Sequence, residues 1–217
     1  MFTPVIDWLL TQDGVDPDAL VLFGRSFAGY LAPRAATADH RFAALICDPA
    51  QYDFGAAIRA RLGEPNWERL QNDDPTLDTD LAPMLADPSA RNGFEWRMVA
   101  HGVTTMTDYL RELCRYNLVA LADRITCPTL ALAGEGDFAG TGQLQTFADS
   151  LVAPLTTHAF TVADRHASRS ARLARASGTT AARGTVGRGT FRVYRPGDLR
   201  PGTAAPAYVC AVQKGPR

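Results

Sequence analysis

Cysteine is scarce in this chain: Cys47, Cys114, Cys127 and Cys210 are the four among 217 residues. No two form a C-x-x-C pair, and none stands at zinc-ligand spacing from a histidine. That excludes a zinc finger or ribbon and a thioredoxin-like redox motif. Long apolar runs are missing as well. No stretch approaches the roughly 20 apolar residues of a membrane span, and the N-terminus lacks the positive region and apolar core of a signal peptide. The sequence therefore predicts free thiols in a reducing cytoplasm, no membrane partner, no metal and no organic cofactor.

Net charge is nearly absent too, but the formal total of −1 conceals two opposed segments. From Arg165 to Arg217 there are ten Arg and one Lys against one Asp, a net of +10, which leaves 11 basic and 22 acidic residues before it, a net of −11. In 164–217 apolar residues appear singly, without helical or strand periodicity until Ala207–Val212. Such a segment offers little to bury, and a basic, disordered tail is expected. A shifted reading frame in GC-rich DNA would yield this mixture of Arg, Ala, Gly, Thr and Pro, a hypothesis that re-sequencing the locus checks. The tail's charge favours polyanions in a salt-dependent way. Its aromatics are few, Phe191 and Tyr194 with Tyr208 near the end, so no specific nucleic-acid partner is predicted.

What is present is an ordinary globular balance, 46% hydrophobic and 21% charged, in a chain long enough for one domain with a real core. Pro4–Thr11 has the apolar pattern of a helix, and Gly14 with Asp16-Pro17-Asp18 marks a turn. Ala19–Phe23 is a short apolar run of the kind found in buried parallel strands. Helix Phe27–Thr37 and strand Arg41–Cys47 follow. From about 54 to 123 the texture changes to helical patterns (Ala56–Arg61, Trp67–Leu70, Met106–Tyr116) broken by Pro65, Pro75, Pro83 and Pro88. Strand Ile125–Ala133, the loop Gly134-Glu135-Gly136-Asp137, helix Thr141–Val152 and strand Thr157–Val162 complete the regular part. The prediction is an α/β fold: a mostly parallel sheet flanked by helices over 1–163, carrying a helical insertion at about 54–123.

The main chemical signal is Leu20-Val21-Leu22-Phe23-Gly24-Arg25-Ser26-Phe27-Ala28-Gly29-Tyr30. It reads as strand, tight turn and helix with Ser26 at the apex, which is the context of a G-x-S-x-G nucleophile elbow. Small residues flank the serine because strand and helix approach closely there. Ala28 stands where the second glycine is usual, and Gly29 follows at once. The helix N-terminus offers backbone donors, and the Phe27 N–H is the expected half of an oxyanion hole. A serine nucleophile needs a histidine base and a carboxylate to orient it, in the chain order Ser, Asp or Glu, His. Asp137 lies in the loop after a strand, where the acid belongs, with Glu135 as the alternative. For the base, His166 lies 29 residues beyond Asp137, just after the last strand. His158 falls inside that strand and reads as structural. His40 and His101 precede the acid and do not fit the order. His40 reads as a surface loop residue, whereas His101, in the insertion, is a candidate to face substrate.

These residues also resemble a family. Gly24 to Ala36 is similar to the elbow and helix of the α/β-hydrolases that include 2,6-dihydroxypseudooxynicotine hydrolase and the fungal polyketide-shortening pigment hydrolases. Asp48-Pro49-Ala50-Gln51-Tyr52-Asp53 resembles the segment after their next strand, Gly134 to Gly140 their acid loop, and the insertion their cap. The likeness covers about residues 1–163. It implies a Ser26-Asp137-His166 triad acting on a C–C or ester bond next to a carbonyl in a small molecule, with peptidase-like activity among the family's labels. It also implies truncation, because family members carry an N-terminal domain and the first sheet strands ahead of this point. The loop that supplies the second oxyanion donor is not found, and losing one such donor typically costs about 10²–10³ in kcat. The leading expectation is a serine hydrolase impaired by truncation. The alternative is a non-catalytic remnant or binding subunit completed by another chain, which leaves an oligomer open.

Overall fold

Short apolar runs between turn residues become the strands of one sheet. The computed structural model describes residues 3–135, 137 and 141–161, together with strands at 185–186, 189–193 and 207–213. Within these, a first compact unit is built from residues up to Tyr52 and from Leu118 onward, and a second from Asp53–Asn117.

In the first unit, helix α1 (Thr3–Leu10) leads into strand β1 (Val15–Arg25), helix α2 (Ala28–Ala36) and strand β2 (Ala44–Asp48). After the second unit come strand β3 (Thr129–Gly134), helix α7 (Thr141–Ser150) and strand β4 (Leu155–Phe160). Strands β4, β3, β2 and β1 lie side by side in that order and run parallel. Successive residues of a strand point to opposite faces. Leu20 and Leu22 of β1, Leu45 and Cys47 of β2, and Ala131 and Ala133 of β3 are accordingly buried, while Val21, Phe23, Ile46, Leu130 and Leu132 between them are only half-buried. Helix α2 packs on β1 and β2, and α7 on β3, where Phe147 is fully enclosed. Each buried Leu or Phe of this layer contributes about 1.5–3 kcal/mol. Burial also pushes the Cys47 thiol well above its ordinary pKa and so keeps it protonated.

Two local findings differ from the sequence expectation. Asp16-Pro17-Asp18, expected as a turn, lies inside β1, where the pairing register shifts between Val15 and Leu20. The turn chemistry persists inside the strand as a bond from the Asp18 N–H to Asp16 Oδ1 at 3.2 Å. The basic segment 164–217 lies mostly outside the described residues, but strands β5 (Thr185–Val186), β6 (Gly189–Val193) and β7 (Ala207–Gln213) fall within it. β7 pairs antiparallel with β1, and β6 and β5 continue the sheet.

The second unit is helical: α3 (Phe54–Gln71), α4 (Leu77–Leu81), α5 (Pro88–His101) and α6 (Met106–Leu113). The expected break in α3 occurs at Gly63, whose φ of 73° and ψ of 161° interrupt the helix two residues before Pro65. Pro88, expected to break a helix, opens one. It stands at the first position of α5, where its missing N–H costs nothing, and the Asp87 side chain accepts from the Ala90 N–H at 2.7 Å. Gly102, at φ 70°, closes that helix. A hub at Arg69 ties the unit together, with bonds to Asp74 (2.7 Å), Asp80 (2.8 Å), Thr76 (2.8 Å) and Asn66 (3.0 Å). The Arg69 hydrogen bond first, and those from Thr76 second, hold the Asp74 carboxyl at about 2.

Because that folded value lies below the ordinary 3.8, the Asp74 contribution is complete above pH ~4 and is lost as pH falls toward ~2. Arg69→Met is expected to be less stable than the parent at pH 7 and to lose less on acidification from pH 4 to pH 2. Urea midpoints at the three pH values check this. The approach of α2 to the sheet yields a second prediction. A Cβ at Gly29 would overlap the Pro49 carbonyl oxygen, whereas one at Gly93 in α5 would meet Arg97 at an ordinary 3.5 Å. Gly29→Ala should cost about 1–3 kcal/mol through overpacking, and Gly93→Ala should be neutral or stabilise by up to about 1 kcal/mol, both read from urea unfolding.

Candidate active site

The carboxyl ends of β1 to β4 form one rim, and the elbow stands on it. Ser26 follows β1 directly and is exposed. Its φ is 57°, in the left-handed region that a non-glycine residue occupies only at a cost of order 1–3 kcal/mol. Two close approaches impose that conformation. A Cβ at Gly24 would overlap the Ala28 carbonyl, and one at Gly29 the Pro49 carbonyl. The strand must therefore turn into the helix within the two residues Arg25 and Ser26. The Ser26 N–H is tied to the Asp48 carbonyl oxygen at 2.8 Å, and the Gly29 N–H donates to Ser26 O at 2.8 Å. Phe27 holds the position before α2 with helical backbone angles, φ −56° and ψ −29°. Its ring is tilted against Tyr30 at 6.3 Å.

The loop that carries Asp137 leaves β3 on the same rim, with β2 between it and β1. The Asp137 N–H donates to Gly134 O at 3.0 Å, which makes the loop a tight turn. A Cβ at Gly134 would lie 2.6 Å from Asp137 Oδ2, so glycine there is what lets the carboxylate fold back over the strand end. Asp137 and Glu135 are both exposed. The Glu135 N–H is bound to Phe160 O at 2.8 Å, joining the end of β3 to the end of β4. His158 lies within β4 opposite Leu132, with its ring edge-on to Phe160 at 4.4 Å. His166 lies outside the described residues, and β4, the strand that precedes it, ends on the rim.

The segment after β2 links these arms. The Ala50 N–H donates to Leu132 O at 2.7 Å, the Gln51 N–H to Gly29 O at 3.5 Å, and the Tyr52 N–H to Gln143 Oε1 in α7 at 3.0 Å. Residues 50–52 are thus stitched to α2, β3 and α7. The resemblance singled out the stretch containing them, yet no pattern in the sequence marked them as part of a site. Their signal was only the short polar stretch after a strand end. A hollow of about 430 Å³ lined by Leu10, Pro17, Asp18, His40, Arg41, Phe42 and Ala43 lies at the opposite, amino end of the strands. Among the described residues no cluster of His, Cys, Asp and Glu is placed to hold a metal ion.

Among solved structures, the chain is similar to 2,6-dihydroxy-pseudo-oxynicotine hydrolase, with a TM-score of 0.54 and 19% identity over 81% of this chain and 43% of that one. It is also similar to the α/β-hydrolase GrgF from Penicillium sp. sh18, with a TM-score of 0.52 and 13% identity over 81% of this chain and 68% of that one. The chain has the α/β-hydrolase fold. It spans less than half the length of the first of these structures. No protein-family model and no curated protein matches it. No described helix is long and apolar enough to cross a membrane.

The strain at Ser26 is measurable. Ala keeps the Cβ that the left-handed conformation penalises, and Gly removes it. Ser26→Gly is expected to exceed Ser26→Ala in stability by about 1 kcal/mol, as read from denaturant midpoints. Equal stability would show an unstrained turn.

Proposed function

We propose that the chain is a serine hydrolase that cleaves an ester or C–C bond next to a carbonyl in a small molecule, with Ser26 as nucleophile, Asp137 as the orienting acid and His166 as base. The observation that carries this reading is the strained elbow: an exposed Ser26 at φ 57° between a strand and a helix N-terminus. A protein retains such strain where the surrounding packing enforces it and the exposed group has work to do. In the proposed reaction His166 takes the Ser26 proton as Oγ attacks the carbonyl carbon. The oxyanion accepts from the Phe27 N–H, and His166 returns the proton to the leaving group before water reverses the sequence. Placement of the Asp137 loop on the same rim as Ser26 supports the acid assignment, and the end of β4 on that rim supports a base from the segment that follows it.

Hydrolysis of short-chain p-nitrophenyl esters by the purified protein tests the assignment residue by residue. Ser26→Ala is expected to abolish turnover, and Asp137→Asn to lower kcat by about 10³–10⁴-fold. His166→Gln should be as damaging as Ser26→Ala, while Glu135→Gln and His158→Gln should keep activity within a few fold. Turnover undiminished in Ser26→Ala would overturn the reading. Loss in His158→Gln with retention in His166→Gln would move the base.

A further inference from the structure

The sheet has a bare edge. Among the described residues β4 ends the strand order, with β3 on one side and no strand on the other. Thr156, Thr157, His158 and Ala159 are all exposed, unlike the alternately buried residues of β1 to β3. Alternate residues of a parallel edge strand turn both backbone groups to the neighbouring strand, and the residues between turn both outward. The Thr129 N–H donates to Pro154 O at 2.8 Å, and the Glu135 N–H to Phe160 O at 2.8 Å. Thr156, His158 and Phe160 therefore face β3. Leu155, Thr157 and Ala159 turn their N–H and C=O groups outward, where no strand among the described residues meets them.

Edges are ordinarily blunted by charge, proline, a bulge or extreme shortness. The opposite edge, β5, is two residues long. β4 has none of these devices. Leu155-Thr156-Thr157-His158-Ala159-Phe160 contains no Lys, Arg, Asp, Glu or Pro, and its pairing with β3 runs from end to end without a register shift. The spacing of the outward groups fits a second copy of the same strand. In an antiparallel pair, two opposite residues exchange both bonds only when both face the seam. A two-fold axis at Thr157 sets Thr157 opposite its own counterpart and Leu155 opposite Ala159, so every outward N–H and C=O of both strands is paired. An axis at Thr156 or His158 leaves one outward residue of each strand unmatched. The axis at Thr157 also makes a Thr–Thr pair, a favourable cross-strand contact, and sets no charge against its own copy. We propose that β4 is a dimerisation edge, which joins two copies of this chain through an antiparallel β4–β4 pair centred on Thr157 into one continuous sheet. This holds independently of the chemistry at Ser26.

Sedimentation velocity of the full chain from about 1 to 100 μM tests this, with a concentration-dependent dimer expected. Thr157→Lys sets like charges opposite one another and should weaken the dimer by about 10-fold or more, with the far-UV circular dichroism unchanged. Thr157→Cys reads the register. Opposite residues of a hydrogen-bonded antiparallel pair have Cα atoms about 5.5 Å apart, within disulfide reach. Air oxidation should therefore link Thr157→Cys into a covalent dimer, whereas the wild type and Thr146→Cys, an exposed position on α7, should stay unlinked. Should Thr157→Lys not fold, the Thr157→Cys cross-link decides. A wild type that stays monomeric throughout, with this edge covered within its own chain, would overturn the proposal. So would a dimer that Thr157→Lys leaves equally tight, or one in which Thr157→Cys does not cross-link.

Discussion

The rest of the structure depends on how closely α2 approaches the end of β1. Gly24 faces the Ala28 carbonyl and Gly29 the Pro49 carbonyl, with no room for a Cβ at either place. The chain must therefore reverse within two residues, and the reversal forces Ser26 into the left-handed region. The same approach presses α2 onto β1 and β2, and it brings the Asp48 carbonyl within 2.8 Å of the Ser26 N–H. Packing energy in the sheet layer thus offsets the backbone strain at the serine.

The parallel sheet then distributes the other groups. In a parallel arrangement all carboxyl ends lie on one side, so loops after different strands meet there without any long-range design. Asp48 and Pro49, the Gly134–Asp137 turn and the end of β4 share the rim for that reason. The segment 50–52 binds the arms to one another through three backbone donors.

Most of this was legible where sequence pattern and local physics coincide. The apolar runs at 19–23, 41–47 and 125–133 predict strands because nothing else buries such short segments. The Gly-Arg-Ser-Phe-Ala-Gly stretch predicts the turn because glycine is needed on both sides of it. Prolines were the poorer guides. Pro88 starts a helix, because its neighbour Asp87 supplies a cap and the first helical position needs no donor. Pro65 follows a break that Gly63 makes. Asp16-Pro17-Asp18 carries turn residues, yet pairing with the rest of β1 outweighs them. His166 and Gly136 lie outside the described residues, so the base remains an assignment from chain order and resemblance.

The central claim is that Ser26 is held ready as a nucleophile, and covalent capture tests it most directly. The purified protein is treated with a simple fluorophosphonate and the adduct is located by mass spectrometry of its peptides. The account predicts a single stoichiometric adduct on the peptide containing Ser26, absent in Ser26→Ala. A folded protein that acquires no adduct there, or acquires it elsewhere, would contradict it.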